Sequence, residues 1–328
     1  MNQQFRAILI SKTDKGQSLD FVTLSESDLM PGDVTVAVEH STVNYKDGLA
    51  VTGRAPIIRH FPLIPGVDFS GTVVSSSHRL VKPGDKVVLN GWGVGENHHG
   101  GFAGRARVNG DWLVPVPENM TTSDTMAIGT AGYTAMLCVI ALERQGVRPE
   151  DGEVLVTGAA GGVGSIAIAL LAKLGYRVAA STGRPEEAAF LKGLGATQII
   201  DRSDFAGPVK PLAKARFAGA IDAVGSTTLA NVLAQINPEG AVAACGLAQG
   251  MDLPGSVAPF ILRGVRLIGI NSVTASQTRR AEAWLRLSHD LDLAKLKQLT
   301  SHARLENVPT IAADIVAGKI RGRVVIDL

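Results

Sequence analysis

Glu153–Gly175 reads EVLVTGAAGGVGSIAIALLAKLG. It opens on a short β-branched apolar run, Val154-Leu155-Val156, set between Gly152 and Gly158. Such a run reads as a buried strand of a parallel sheet. Glycines follow at 158, 161, 162 and 164, after which Ile166, Leu170 and Leu174 recur at helical spacing. Gly175 stands where a helix-ending glycine belongs. Strand, glycine turn and helix make the opening of a dinucleotide-binding βαβ unit. In that unit the backbone of Ala160, Gly161, Gly162 and Val163 would approach a pyrophosphate, whose charge the free N–H groups and dipole of the helix start favour. Ala160 takes the place of the second glycine in the commoner G-x-G-x-x-G pattern. A tight turn that binds nothing can carry the same glycines.

The second strand, Arg177–Ser181, ends about twenty residues past the glycines, where an NAD site carries Asp or Glu for the ribose 2′-hydroxyl. Here the chain reads Ser181-Thr182-Gly183-Arg184, and no acid appears before Glu186. A carboxylate would repel a 2′-phosphate, whereas hydroxyls and a guanidinium would bind it. NADPH is therefore the expected cofactor, with Arg184 exposed at a loop end and facing the phosphate. An ordinary solvated arginine opening the next helix is the alternative.

With 328 residues the chain can build two domains with substantial cores. It is 45% hydrophobic and 19% charged with a net charge of +2, which gives no reason to invoke nucleic acid. Cys138 and Cys245 both lie in apolar runs and read as small buried hydrophobes. With no disulfide framework and no signal-peptide layout in MNQQFRAILI, a reducing cytoplasm is the expected setting. Thr125–Leu142 carries no charge but includes Gly129, Gly132 and Tyr133. It is shorter than the roughly 20 apolar residues that span a membrane, and reads as a buried helix.

Taken in order, the first 122 or so residues look like short strands at Phe5–Ile10, Val34–Val38, Gly71–Val74, Lys86–Asn90 and Gly104–Val108, separated by Pro-Gly and Asn-Gly turns. That suggests a barrel-like antiparallel domain. From Glu153 strands alternate with helices, near 153–157, 177–181, 197–200, 219–223, 240–245 and 266–270. This pattern predicts a six-strand doubly wound sheet, an α/β architecture. Helices follow near Ser276–His289 and Val308–Ala317, and a last strand, Gly322–Leu328, returns to the first domain. The expected division is a catalytic domain of residues 1–122 completed by 271–328, and a nucleotide domain of residues 123–270.

Asn44-Tyr45-Lys46-Asp47, Pro65-Gly66-Val67-Asp68-Phe69-Ser70-Gly71, Lys82-Pro83-Gly84-Asp85, Gly129-Thr130-Ala131-Gly132-Tyr133-Thr134-Ala135 and the AAGGVG loop fall in this order along nearly the whole chain. So ordered, they resemble the medium-chain dehydrogenase/reductase superfamily on its quinone-oxidoreductase and enoyl-reductase side. Gly91–Gly101 (GWGVGENHHGG) and Ser181–Arg184 resemble more narrowly the acryloyl-CoA reductases, which reduce acryloyl-CoA to propionyl-CoA with NADPH. The resemblance implies a GroES-like catalytic domain, a Rossmann nucleotide-binding domain, a homodimer, and an acyl-CoA thioester as the small-molecule substrate.

Zinc is not expected, although alcohol dehydrogenases of the superfamily use it. Ser41–Asp47 offers no cysteine, Pro65–Asp68 lacks the family's His-Glu pair, and the four-cysteine lobe is missing. His98, His99 and Glu96 could tempt a ligand reading, but in a glycine-rich loop they suit packing or substrate contact.

Without a metal, the growing charge on a thioester oxygen needs hydrogen-bond donors and an acid. Tyr45 is the candidate proton donor; the alternative is a ring packed on the nicotinamide. Asn44 is placed either to orient Tyr45 or to meet the nicotinamide ribose. Lys46 and Asp47 read as a charge pair opening a helix. Strand ends, where ligands of open α/β sheets bind, add Arg202, Leu247 and Ser272 as cofactor contacts, and the resemblance adds Ile261 and Lys319. A quinone reductase, and a cofactor-binding protein without turnover, remain as other readings. The Gly91–Gly101 loop favours the acyl-CoA reductase over the quinone reductase, and an intact Tyr45 beside an intact glycine loop argues against the protein without turnover.

Overall fold

Turn-separated β-branched runs and glycine-punctuated strand–helix alternation fold into two different units in the computed structural model, which describes residues 3–328. One unit ends at Thr130 and takes in Ser272–Trp284 and Leu296–Leu328; the other comprises Ala131–Asn271 and Leu285–Lys295.

The N-terminal part runs β1 (Gln4–Thr13), β2 (Gly16–Ser25), β3 (Val34–Thr42), α1 (Tyr45–Thr52), β4 (Asp68–Ser76), β5 (Lys86–Asn90), β6 (Arg105–Val108), β7 (Val114–Pro115) and α2 (Thr122–Arg144). Then come β8 (Glu153–Val156), α3 (Gly162–Lys173), β9 (Arg177–Thr182), α4 (Ala188–Leu194), β10 (Gln198–Asp201), β11 (Phe217–Asp222), α5 (Ser226–Leu233), β12 (Ile236–Ala244), α6 (Ala258–Arg263) and β13 (Arg266–Gly269). The chain closes with α7 (Gln277–Asp290), α8 (Leu293–Gln298), β14 (Thr300–Arg304), α9 (Val308–Val316) and β15 (Arg323–Asp327).

In the first unit β1 and β2 form a hairpin, and a seven-stranded sheet runs β14-β15-β3-β4-β5-β7, with β6 also paired to β3. The last strand does return: Val325 pairs with Thr42 on β3, antiparallel. Val34, Val36, Phe69, Val87 and Leu89 face one core of this unit. Ile8, Ile10, Val43, Val51, Val308 and Ala312 face another, in which α1 packs on α9. Gly48 permits that approach, since a Cβ there would lie 2.6 Å from Ile315 Cγ2.

In the second unit the sheet order is β10-β9-β8-β11-β12-β13, with every pairing parallel. Numbered within the unit this is 3-2-1-4-5-6, the doubly wound order that brings ligands to the carboxyl ends of the strands. β8 and β11 are buried along almost their whole length, as strands covered by helices on both faces must be. The expected α/β class is the one observed.

α2 is long and apolar enough to cross a membrane by composition, yet 94% of its apolar window is buried inside the protein. It also breaks at Gly129 (φ 53°, ψ −165°). It is a core helix.

Candidate active site

Tyr45 opens α1 and is 41% exposed, and its hydroxyl makes no hydrogen bond to another described residue. The helix start beneath it is fixed by buried polar groups. Asn44 is the N-cap; its backbone N–H donates to Asp47 Oδ2 at 2.8 Å. Its side-chain Nδ2 donates to Asp47 Oδ2 at 3.1 Å and to Asp68 Oδ2 at 2.8 Å. With the amide nitrogen turned to both carboxylates, Asn44 Oδ1 is left buried without a partner.

Asp68 is fully buried and its carboxylate gathers three other segments. Besides Asn44 it accepts from Asn90 Nδ2 at 2.8 Å, from the Thr130 backbone N–H at 2.7 Å and from the Thr130 hydroxyl. The break at Gly129 frees the Thr130 N–H for this role. Only glycine fits there, because a Cβ would lie 2.5 Å from Arg323 Nη2 and 3.0 Å from Asp68 Oδ2. Arg323, brought in by β15 and 2% exposed, donates to Ala127 O at 3.0 Å and Thr42 Oγ1 at 2.8 Å.

This cluster holds two carboxylates and one guanidinium out of water. Burial, helped by the charge of Asp68, pushes Asp47 up to about 7, against the pull of N–H donors from Asn44 and Val67. Burial likewise lowers Arg323 to about 10, opposed by the two carboxylates.

Lys46 does not pair with Asp47, as the helix-start reading expected. Asp47 turns inward as a cap, and Lys46 Nζ reaches Glu96 Oε1 at 3.0 Å. Glu96 belongs to the Gly91–Gly101 loop. That loop is anchored by Trp92, which sits at φ 56° and stacks on Trp112 with ring centroids 6.5 Å apart. The Arg280 guanidinium lies 4.6 Å over the Trp92 ring. Arg280 is 1% exposed and donates to the carbonyls of Asn90, Ser272, Val273 and Ala275 at 2.6–3.1 Å. His98 Nε2 donates to Arg107 O at 2.7 Å, and His99 Nδ1 accepts from the Ile64 N–H at 3.2 Å. Both imidazoles thus serve loop packing. Among the described residues no three or more His, Cys, Asp or Glu side chains converge as a metal site.

In the second unit the glycine loop joins β8 to α3. Gly158 takes φ 60°, and at Gly164 a Cβ would lie 2.4 Å from Gly158 O, so the turn closes only around glycine. Gly161 is the N-cap and Gly162 and Val163 open the helix, where first-turn N–H groups have no intrahelical acceptor. Thr157 Oγ1 donates to Asp222 Oδ1 at 2.6 Å, tying the loop to the end of β11. At the end of β9, Ser181 and Thr182 are buried, and Thr182 Oγ1 accepts from the Arg184 N–H at 3.1 Å.

Arg184 is not the exposed side chain expected from the sequence. Its side chain is 25% exposed, its Nη2 donates to Ala160 O at 3.3 Å, and its Nη1 lies 3.6 Å from Glu187. Arg202 packs on Gly183, where a Cβ would be 2.3 Å from its Nε. Ala160–Val163, Ser181–Arg184 and Arg202 are therefore gathered at one end of this sheet.

Leu247 follows β12 and is 56% exposed, while Ile261 on α6 is 73% exposed. Ser272 and Lys319 belong to the first unit, where Lys319 pairs with Asp314 at 3.3 Å. Asp68 was legible only as part of a motif. Arg323 and Arg280 carried no sequence signal, since each is an ordinary arginine until the fold buries it.

A doubly wound sheet with a glycine-loop helix, Arg184 after its second strand and Arg202 after its third has the form of a dinucleotide-binding unit. Residues 162–287 match the zinc-binding dehydrogenase family, and residues 30–118 match the alcohol dehydrogenase GroES-like domain. The chain is 52% identical to the acrylyl-CoA reductase AcuI of Ruegeria pomeroyi over 327 residues, 99% of each chain. It is 44% identical to the putative quinone oxidoreductase YhfP of Bacillus subtilis over 330 residues, 100% of each chain. The yhdH oxidoreductase of Salmonella enterica, solved in complex with NADP, superposes with a TM-score of 0.97 at 52% identity, covering 99% of this chain and 100% of that one. This chain belongs to the medium-chain dehydrogenase/reductase superfamily, in its acrylyl-CoA reductase branch.

Proposed function

We propose that this protein reduces the 2,3 double bond of acryloyl-CoA to propionyl-CoA with NADPH, without zinc. The full-length 52% identity to an acrylyl-CoA reductase carries the reading. The residues fit the cofactor: the glycine turn leaves no room for a Cβ at Gly164, and Arg184 and Arg202 stand where a 2′-phosphate needs cations. Ala160, Gly161, Gly162 and Val163 would hold the pyrophosphate, and Ser181, Thr182, Gly183, Arg184 and Arg202 the adenosine end. Leu247, Ile261, Ser272 and Lys319 complete the proposed contacts.

When bound, NADPH would supply the hydride that the β-carbon of the substrate accepts. The Tyr45 hydroxyl would donate a hydrogen bond to the thioester oxygen as negative charge grows there, then give its proton to the α-carbon and regain one from solvent. Asn44 fixes the helix end that presents Tyr45, and its unpaired Oδ1 is free to accept from a ligand hydroxyl. In this reading the unit that ends at Thr130 and takes in Ser272–Trp284 and Leu296–Leu328 is the catalytic domain, and Ala131–Asn271 with Leu285–Lys295 the NADP-binding domain, so the bounds differ from the expected 1–122 with 271–328 and 123–270. The protein works in the cytoplasm as a homodimer. The unpaired edge of β13 and the exposed Val257 and Leu262 support self-association, which light scattering would measure.

NADPH oxidation with acryloyl-CoA, crotonyl-CoA and a benzoquinone tests the activity. Acryloyl-CoA should give the highest kcat/KM. A faster benzoquinone would favour a quinone reductase, the activity named for the 44% identical relative.

A further inference from the structure

Between Asp47 and Asp68 the chain carries no acidic residue, yet it sets Arg54, Arg59 and His60 on the one loop that joins α1 to β4. All three are exposed, and none of their side chains makes an ion pair or hydrogen bond to another described residue. Two other cations of the same unit are paired, Arg6 with Glu306 and Lys46 with Glu96.

The loop backbone, by contrast, is firmly held. The Arg54 N–H donates to Leu49 O at 3.1 Å, and Ile58 is buried in the core shared by α1 and α9. The Leu63 N–H donates to Ile10 O at 2.9 Å. The Arg59 N–H donates to Glu96 O at 2.8 Å, and the Glu96 carboxylate holds Lys46, the neighbour of Tyr45. Arg59 is thus one residue removed from the ion pair that flanks the candidate proton donor.

Unpaired cations on a fixed backbone form an electrostatic footprint for a polyanion. Beside them Phe61, 38% exposed, offers a ring on which a base can stack. The combined chemistry is that of a phosphorylated adenosine. In a CoA thioester the pantetheine arm separates that group from the reacting carbonyl, so the two ends need different surfaces. We infer that Arg54, Arg59 and His60 bind the phosphates of the substrate's CoA moiety, with Phe61 against its adenine. The assignment rests on the acyl-CoA reading of the active site and names the residues that would make this enzyme specific for the nucleotide-bearing thioester.

The test is calorimetric titration of free CoA, and of pantetheine, into wild type and an R54E/R59E variant, both saturated with NADP⁺ so that the dinucleotide site is filled. The variant should lose about tenfold in CoA affinity at low ionic strength relative to its change for pantetheine. Roughly 0.5 M salt should shrink the difference, because exposed charges are then screened. An R54Q/R59Q variant should move the same way by less, and serves if charge reversal impairs folding. Unchanged CoA affinity, or an equal loss for pantetheine, would overturn the assignment. Failure of the reductase reading looks different. A wild type that oxidises no NADPH with acryloyl-CoA, yet whose CoA affinity drops on charge reversal, would keep this site and lose the reaction.

Discussion

The guanidinium of Arg184 donates to the carbonyl of Ala160 at 3.3 Å, so the second residue after β9 grips the glycine loop after β8. The arginine proposed to read a 2′-phosphate thus also braces the turn proposed to cradle the pyrophosphate. Glu187, 3.6 Å away, shares its charge.

Replacing Arg184 by Ala should raise the Kd for NADPH about ten- to 150-fold, the loss of one charge-assisted hydrogen bond worth roughly 1.5–3 kcal/mol. NADH, lacking the phosphate, should weaken less, by the part that reflects a loosened loop. Because the side chain is largely covered, stability should also fall, by about 1 kcal/mol. Titration of both cofactors and a urea melt read these effects apart. Equal weakening of the two cofactors would assign Arg184 to the loop alone.

Tyr45→Phe removes only a hydroxyl from a half-exposed ring. If that hydroxyl is the acid, kcat with acryloyl-CoA should drop about 10²–10⁴-fold while the melting temperature stays put. Steady-state kinetics beside a thermal melt check this, and an unchanged kcat would leave Tyr45 as a packing surface.

Asp47 gives stability a pH dependence of defined sign. Its value is about 7 in the folded protein against an ordinary 3.8, so between these the folded state keeps a proton that the unfolded chain has lost. The stability it contributes is complete below about pH 4 and is lost as pH rises through 7, amounting to roughly 4 kcal/mol at most. Asp47→Asn cannot titrate. The melting temperature of wild type relative to that variant should therefore be higher at pH 5.5 than at pH 8, and a constant difference would refute the shift.

Arg280 satisfies four carbonyl groups and covers Trp92, so Arg280→Met should leave those acceptors buried and unpaired. A loss of roughly 3 kcal/mol or more is expected, with a change in tryptophan fluorescence as the Gly91–Gly101 loop loosens. Denaturant unfolding followed by fluorescence measures both.

Chelation should leave NADPH oxidation with acryloyl-CoA unchanged. Metal analysis of purified active protein accompanies the assay, and stoichiometric zinc lost together with activity would contradict the metal-free reading.

The glycine loop, the alternation of strands and helices after Glu153, and the missing acid after β9 could all be read without a structure, because each is a local requirement. A turn that must pass close to a phosphate needs glycine in sequence, and a buried strand needs a continuous apolar run. β2 (Gly16–Ser25) escaped the reading, since its residues are mostly partly exposed and its pairing with β1, not its own pattern, makes it a strand.

By itself the sequence determined the two kinds of architecture, the cofactor class and Tyr45 as a candidate. Only the tertiary structure decided what surrounds them: Asp68 holding residues 44, 90 and 130 together, Arg323 arriving from the last strand, Lys46 turning to Glu96 and Arg184 folding onto Ala160. Those partners lie up to hundreds of positions apart, and a charged side chain carries no local mark of its fate. Burial sets it, by making every unpaired charge costly enough that the fold must bring a partner to it.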